Sequence, residues 1–495
     1  MHSQMIDNKL KSVALMSAGY NWELLKQICG RLKDNYGTQI HLYAISDENI
    51  EFYKKIAPAN LISSYTRATE MRDYCTKDVP IDERPAVIER ARINEKKLGT
   101  TYNQLASANR HLGRGFALAG FHHPRSFQSE NSDYWSLLNA YNHEFAFWER
   151  EVKEKSITLF LQSTLPAAVF CRANNIAYRV LCNARYKNWH YWGHNEYFES
   201  PFAKEILQNL DDADRAVVEF DVPFLHEQEH RVVFDKNESF YNVCKSSLYD
   251  GARYFNSYFR NYELGRNYYL TDTIAYRWRR WNTLRKLSAA NRPRLADLKD
   301  TPFVFFPMHT EPESAVHQMS PEFFFQHAAI AAIARDLPAG VPLVVKETIH
   351  GMGRRPDNFY DAIMEIKNVI FLNILEKGLD IVKKSSAVAT ITGTAGFEAA
   401  VLGRPVLSFG QHNMYNCVPH VHVVKSFDEI KDKLLYILSN DFDANKAKID
   451  GSKFLKAIEK ASFDLDQFSF YKKDSLNSTG IEAAYNAFIN SLERV

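Results

Sequence analysis

Within seven positions, Thr392-Gly393-Thr394-Ala395-Gly396-Phe397-Glu398, the chain brings together two hydroxyls, two glycines and a carboxylate. Hydroxyls and backbone without Cβ atoms suit a phosphate, provided the free N–H groups of a helix start point at it. The flanking sequence supplies that setting. Val388 to Ile391 is a short apolar, β-branched run that reads as a buried strand. Phe397 to Leu402 reads as a helix ending at Gly403, and Pro405 to Phe409 as the next buried strand. A tight connection without a ligand is the plainer reading of the turn. The hydroxyls at Thr392 and Thr394, Glu398 on the first helical turn and Gly-Arg-Pro closing so short a helix favour the phosphate. Glu398 suits a ribose diol, or equally a carboxylate placed against the helix dipole.

Other groups could complete the chemistry of a phosphorylated substrate. Lys346 and His350 follow the predicted strand Leu343 to Lys346, with Arg354 and Arg355 behind them, and could neutralise a departing phosphate. Arg185, Trp189 and Trp192 stand in a segment, Asn183 to Tyr197, dense in aromatics and poor in aliphatics. Such a segment suits a platform for the CH faces of sugars, so these three residues are expected to bind an acceptor. Zinc on His190 and His194 would lack a third ligand, and no metal is expected. From Arg253 to Arg294 the chain is basic and aromatic, including Tyr276-Arg277-Trp278-Arg279-Arg280-Trp281. That composition fits an anionic membrane surface, a phosphorylated acceptor, or simply a solvated helix. No nucleic-acid reader motif accompanies it.

The elements that must position these groups alternate between strand and helix. A strand from Ser12 to Ser17, a helix from Trp22 to about Asn35 and a strand from Ile40 to Ile45 open a parallel sheet with right-handed crossover. A polar, helical insertion is expected between Glu48 and Arg150. The strand Ile157 to Leu161, the helix Pro166 to Asn174 and the strand Tyr178 to Leu181 follow. After a linker near Asn291, strands are predicted at Phe303 to Phe306, Leu343 to Lys346 and Val369 to Leu372, with helices between, as in a doubly wound sheet. The division expected is 1–290, 300–440 and a mainly helical tail, 441–495.

Together with Tyr415, the run Thr-Ile-Thr-Gly-Thr-Ala-Gly-Phe-Glu-Ala-Ala-Val-Leu-Gly-Arg-Pro-Val-Leu-Ser-Phe-Gly resembles the GTxGxEAxxxGxP segment of capsule-polysaccharide biosynthesis proteins. That group is similar to the β-Kdo transferases, within the GT-B glycosyltransferases. The resemblance is good from about Phe303 to Lys425. It implies an α/β, GT-B-like fold: two Rossmann-like domains facing a cleft, a helical insertion, and C-terminal helices crossing back to the first domain. It also implies a nucleotide-sugar donor, a CMP-linked acidic sugar such as CMP-Kdo among the choices, held by Lys346, Glu313, Thr392, Gly393, Thr394, Gly396, Glu398 and Tyr415. The acceptor would be a growing surface polysaccharide or a lipid-linked saccharide. The family's Gln-Pro-Glu appears here as Glu311-Pro312-Glu313. Its Lys-Glu-His-Pro appears as Lys346-Glu347-Thr348-Ile349-His350, two residues longer and without the proline. In this arrangement the base comes from the first half of the chain, and Asp133, His122, His123 and Glu196 are the candidates, with His350 as a further catalytic group. A nucleotide-sugar epimerase, a polyol-phosphate transferase and a non-catalytic assembly protein are the alternatives on the same fold.

The bulk properties agree with such an enzyme. With 495 residues, 45% hydrophobic, 24% charged and a net charge of +2, the chain can bury sizeable cores and is not a polyanion binder as a whole. The six cysteines lack metal-ligand spacing and sit mostly in apolar runs, as reduced core thiols do. No apolar run approaches the roughly 18 residues of a membrane span. The expected location is the cytoplasm, with peripheral contact at the inner face of the membrane, and no cofactor is expected beyond the nucleotide-sugar substrate.

Overall fold

The structure is a computed structural model that describes residues 7–17, 19–109, 112, 133–210, 220, 224–259, 270–311, 313–323, 325–356 and 358–493. His122, His123 and the surrounding glycine-rich segment lie outside them. The chain forms two units. Met1–Leu105, Asn131–Ser200 and Ala461–Val495 make the first; the second is dominated by Pro201–Lys460. Residues 201–290, expected with the first sheet, therefore go with the second.

The first unit is built on strands β1 (Ser12–Met16), β2 (Gln39–Ala44), β3 (Ser64–Arg67), β4 (Leu159–Leu161), β5 (Ala177–Asn183) and β6 (Trp189–Gly193). Neighbouring strands run in the order β3-β2-β1-β4-β5 and are parallel; β6 continues the sheet antiparallel to β5. The strand β3 interrupts the stretch expected to be helical. Its sequence, Ser-Tyr-Thr-Arg, is too short and polar to stand out, and pairing with β2 decides its conformation.

Trp189 to Gly193 is a strand rather than an open aromatic platform. Trp192 points into the core, where its Nε1 donates to the Ala484 carbonyl at 3.0 Å and its ring meets Phe488 edge-on at 5.1 Å. The tail returns to this sheet: β13 (Phe463–Asp464) pairs antiparallel with β6, and the helix Ser478–Glu493 packs beside the helix Trp22–Tyr36. The preceding helix, Ala444–Ala461, stays with the second unit. Gly451 permits this, since a Cβ there would strike the carbonyls of Ala400 and Val401.

The second unit holds β7 (Val304–Pro307), β8 (Leu343–Lys346), β9 (Val369–Phe371), β10 (Ala387–Thr390), β11 (Val406–Ser408) and β12 (Val421–Val423). All pairs are parallel, in the order β9-β8-β7-β10-β11-β12. Strand order thus reverses between β7 and β10, and in doubly wound sheets the crevice outside the strand C-termini at that reversal is where ligands bind. The central strands β7, β8 and β10 are almost continuous apolar runs, as strands buried on both faces are. No described helix is long and apolar enough to cross a membrane.

Candidate functional site

The reversal brings two loops together. His309 leaves β7, Thr392 leaves β10, and the Thr392 backbone N–H donates to His309 Nε2 at 3.1 Å. An Nε2 that accepts leaves the proton on Nδ1, which faces Gln326 Oε1 at 3.3 Å; this tautomer is assigned from its neighbours. Gln326 returns its amide to the His309 carbonyl at 2.9 Å. On the other side Thr390 Oγ1 lies 3.1 Å from His309 Nε2 and accepts the Gly393 N–H, also at 3.1 Å. Gly393 is needed for this approach, because a Cβ there would fall 2.9 Å from both His309 Nε2 and Thr390 Oγ1.

The helix begins at Thr394, three residues earlier than its apolar pattern indicates, and runs Thr394–Val401 with Gly393 as its N-cap. Thr394, Ala395 and Gly396 are therefore its first turn rather than a loop before it. Thr392 Oγ1 is buried without a hydrogen-bond partner among the described residues, at the start of a helix where backbone N–H groups gather. Gly396 has a different purpose from the one expected. A Cβ on it would meet Tyr415 Oη and Thr390 Cγ2 at 2.5 and 2.6 Å, so its missing side chain admits Tyr415 and not a phosphate. Tyr415, fully buried, places its hydroxyl 3.4 Å from the Gly393 carbonyl and so braces the turn. Glu398 is buried within the same helix.

Behind the turn lies a network that sequence reasoning missed. Arg355 Nε and Nη2 donate to the two oxygens of Glu347 at 2.8 and 2.9 Å, Nη1 donates to Glu311 Oε2 at 2.7 Å, and Nη2 also reaches the His309 carbonyl. The Tyr360 hydroxyl donates to Glu347 at 2.8 Å. All three charged side chains are 0–1% exposed. Burial pushes the Glu311 carboxyl up to about 7 although Arg355 pulls it down; one guanidinium already held by Glu347 cannot fully charge a second buried carboxylate. Burial works against the Arg355 cation, but Glu347 and Glu311 outweigh it and hold the guanidinium charged. Glu311 is thus a buried ion-pair partner of Arg355 at the C-terminal end of the sheet. The signal in the sequence was Gly351, whose Cβ would collide with Glu347 and Arg355.

The remaining expected residues are dispersed. Lys346 ends β8, separated from β10 by β7, and its Nζ donates to the Glu347 carbonyl at 3.3 Å. His350 meets the His230 ring edge-on at 4.8 Å. Glu313, half-buried, accepts the His317 N–H on its backbone carbonyl.

In the first unit Asp133 caps the helix Tyr134–Lys155, accepting the Ser136 N–H and hydroxyl at 2.7 Å each. Burial opposes its charge, yet those bonds and Arg84 hold the carboxyl below its usual range. Glu196 is buried and receives Arg172 Nε at 2.5 Å. Arg185 sits at φ +61° with its N–H on Asn183 Oδ1, and Trp189 is half-buried against Tyr186. Among the described residues no group of three His, Cys, Asp or Glu is placed to hold a metal ion.

Of the basic segment, Arg277 pairs with Asp250 and Arg280 with Glu238, while Trp278 and Trp281 pack on Phe240 of the neighbouring helix Phe240–Phe259. These contacts are made within the helical part of the second unit.

Comparison with known proteins finds that residues 235–418 match the family described as capsule polysaccharide biosynthesis protein. No curated protein sequence matches the chain. Among solved structures it is similar to the KpsC β-Kdo 2,7 transferase of Thermosulfurimonas dismutans, at 14% identity over 62% of this chain and 89% of that one, with a TM-score of 0.29. It is also similar to Anabaena Alr3699/HepE in complex with UDP and glucose, at 9% identity over 98% and 100% of the chains (TM-score 0.31). A putative UDP-N-acetylglucosamine 2-epimerase from Listeria monocytogenes matches at 10% identity over 90% and 94% (TM-score 0.26).

Proposed function

We propose that this chain, related over residues 235–418 to capsule polysaccharide biosynthesis proteins, is a glycosyltransferase that takes a sugar from a nucleotide-sugar donor and adds it to a surface polysaccharide or glycolipid. The observation that carries the reading is the β7/β10 reversal, where Thr392 and the start of the helix Thr394–Val401 stand at the C-terminal edge of a parallel sheet with a buried, unpartnered hydroxyl. The donor phosphate would lie against that helix start, with Thr392 Oγ1 as a ligand and Glu398 close to the ribose. Lys346 would approach as phosphate charge grows on the leaving group, so its effect would be felt more in the transition state than in binding. A CMP-linked acidic sugar is the donor we favour, on the family resemblance. The chain would work from the aqueous side of the membrane on an acceptor at its surface, without a metal.

A thermal-shift series with CMP, UDP, GDP, CDP and TDP tests the reading, because a ligand that binds only the folded protein raises its melting point. One nucleotide is expected to stabilise the chain, with the effect lost in Thr392→Val. No stabilisation by any of the five would overturn the proposal.

A further inference from the structure

We propose that the outer face of the helix Phe240–Phe259 is a docking surface for the headgroup layer of an anionic phospholipid bilayer. Its place in the reaction depends on the reading of an acceptor at the membrane surface, whereas the face itself is argued from residues apart from the nucleotide turn.

The helix has 20 residues, a length of about 30 Å. It is apolar on the side that a helix in water keeps polar. Tyr241, Leu248, Tyr249, Phe255, Tyr258 and Phe259 are all more than half exposed, with Leu248 and Phe259 at 76% and 79%. At about 100° per residue, Tyr241, Leu248, Phe255 and Phe259 fall within about 40° of one another, a single stripe along the whole helix. The opposite side is occupied. Val243 is buried there, and Asp250 holds Arg277 of the helix Leu270–Leu287 at 2.5 Å. At the helix start Phe240 meets Trp278 and Trp281 of the same neighbour. The stripe is turned away from that neighbour.

Charge selects what would cover it. Asp250 is the helix's one carboxylate, and Arg277 already answers it. Lys245 and Arg253 are exposed on the same helix, and Arg279 and Arg285 on the neighbouring one. A second copy laid on the stripe would bring these like charges together. Anionic headgroups attract them instead, and the Lys and Arg stems can lie along apolar surface while their charges reach phosphate. Five of the six exposed side chains are aromatic, and three are tyrosines, which put a ring in the apolar layer and a hydroxyl at its wet boundary. Lys245, Asp250 and Arg253 interrupt the apolar sequence, and no described helix can cross a membrane. The helix would therefore lie in the plane of the interface.

The test is sedimentation of the full chain, without nucleotide, with vesicles of phosphatidylcholine alone and of phosphatidylcholine mixed equally with phosphatidylglycerol. The native chain is expected to sediment with the mixed vesicles, and less so as salt screens the surface attraction. Leu248→Ser combined with Phe255→Ser alters only exposed positions, so the melting point should hold while binding weakens by at least about tenfold. Lys245→Gln combined with Arg253→Gln should weaken binding to the mixed vesicles alone. The proposal is overturned if the native chain ignores the mixed vesicles, binds neutral ones equally well, or binds no better than the folded serine variant. It is also overturned if sedimentation velocity shows a native dimer that the serine variant dissociates, which would assign the face to a second copy. Nucleotide stabilisation without vesicle binding would remove this surface and leave the glycosyltransferase reading standing; vesicle binding without nucleotide stabilisation would do the reverse.

Discussion

At the scale of single residues, the second unit depends on one buried cation. Arg355 answers Glu347 and Glu311 at once, all three out of water. Replacing a buried ion-pair partner with an uncharged residue leaves the other charges uncompensated and typically costs about 3–5 kcal/mol. Arg355→Met is therefore expected to destabilise the second unit by that order in urea denaturation; a loss below about 1 kcal/mol would contradict the arrangement.

Glu311 gives a pH signature. Its carboxyl is raised from 4.5 to about 7 by burial, so the folded state holds its proton more tightly than the unfolded chain does. The corresponding stability is fully present below about 4.5 and is lost as pH rises through about 7. Glu311→Gln resembles the protonated form permanently. The difference in denaturation midpoint between native and variant should grow in the variant's favour across that window, and a constant difference would refute the assignment. Lys346→Ala is expected to lower kcat by on the order of a hundredfold with little change in donor affinity; steady-state kinetics showing an effect confined to KM would place the lysine in ground-state binding.

At the scale of elements, two turns are fixed by close approach. Gly396→Val drives a branched side chain into Tyr415 and Thr390. It should displace the helix Thr394–Val401 from the β10 end and lower the melting point even without ligand. A folded variant with native stability would show that the space belongs to a ligand after all. Gly353→Ala meets both a left-handed backbone and the Arg280 main chain. It is expected to free the loop leaving β8 from the helix Leu270–Leu287, seen as faster amide exchange over 349–355 with the first unit unaffected.

For the whole molecule, the two units have separate cores, one around β1 and β4 and one around β7 and β10. A nucleotide held at the turn after β10 would stabilise only the unit that contains it. At a concentration a hundred times Kd the gain is about 2.7 kcal/mol. Hydrogen exchange should show that protection in the second unit, centred on 390–398, while the sheet of the first unit exchanges at its unliganded rate. Protection confined to the first unit would move the binding site there.

The sequence by itself determined the repeated strand and helix alternation of the second unit, the strand Leu343–Lys346 to the residue, and the placing of Thr392 and Gly393 at the end of a buried strand. Those features are written in short-range apolar periodicity and glycine position, which act locally. Only the tertiary structure decided that β7 and β10 are neighbours, and hence that His309, held by Gln326, stands beside Thr392; strand order is a long-range choice that local patterns do not encode. The same limit explains the dense aromatics at Trp189 to Trp192. Their composition suits a sugar platform or a strand facing a core, and the return of the tail onto β6 buries Trp192 against Phe488. Arg355 was equally undecidable from sequence. A lone arginine is usually solvated, and it becomes an internal counter-ion here because the loops leaving β7 and β8 meet, placing Glu311, Glu347 and the His309 carbonyl around it.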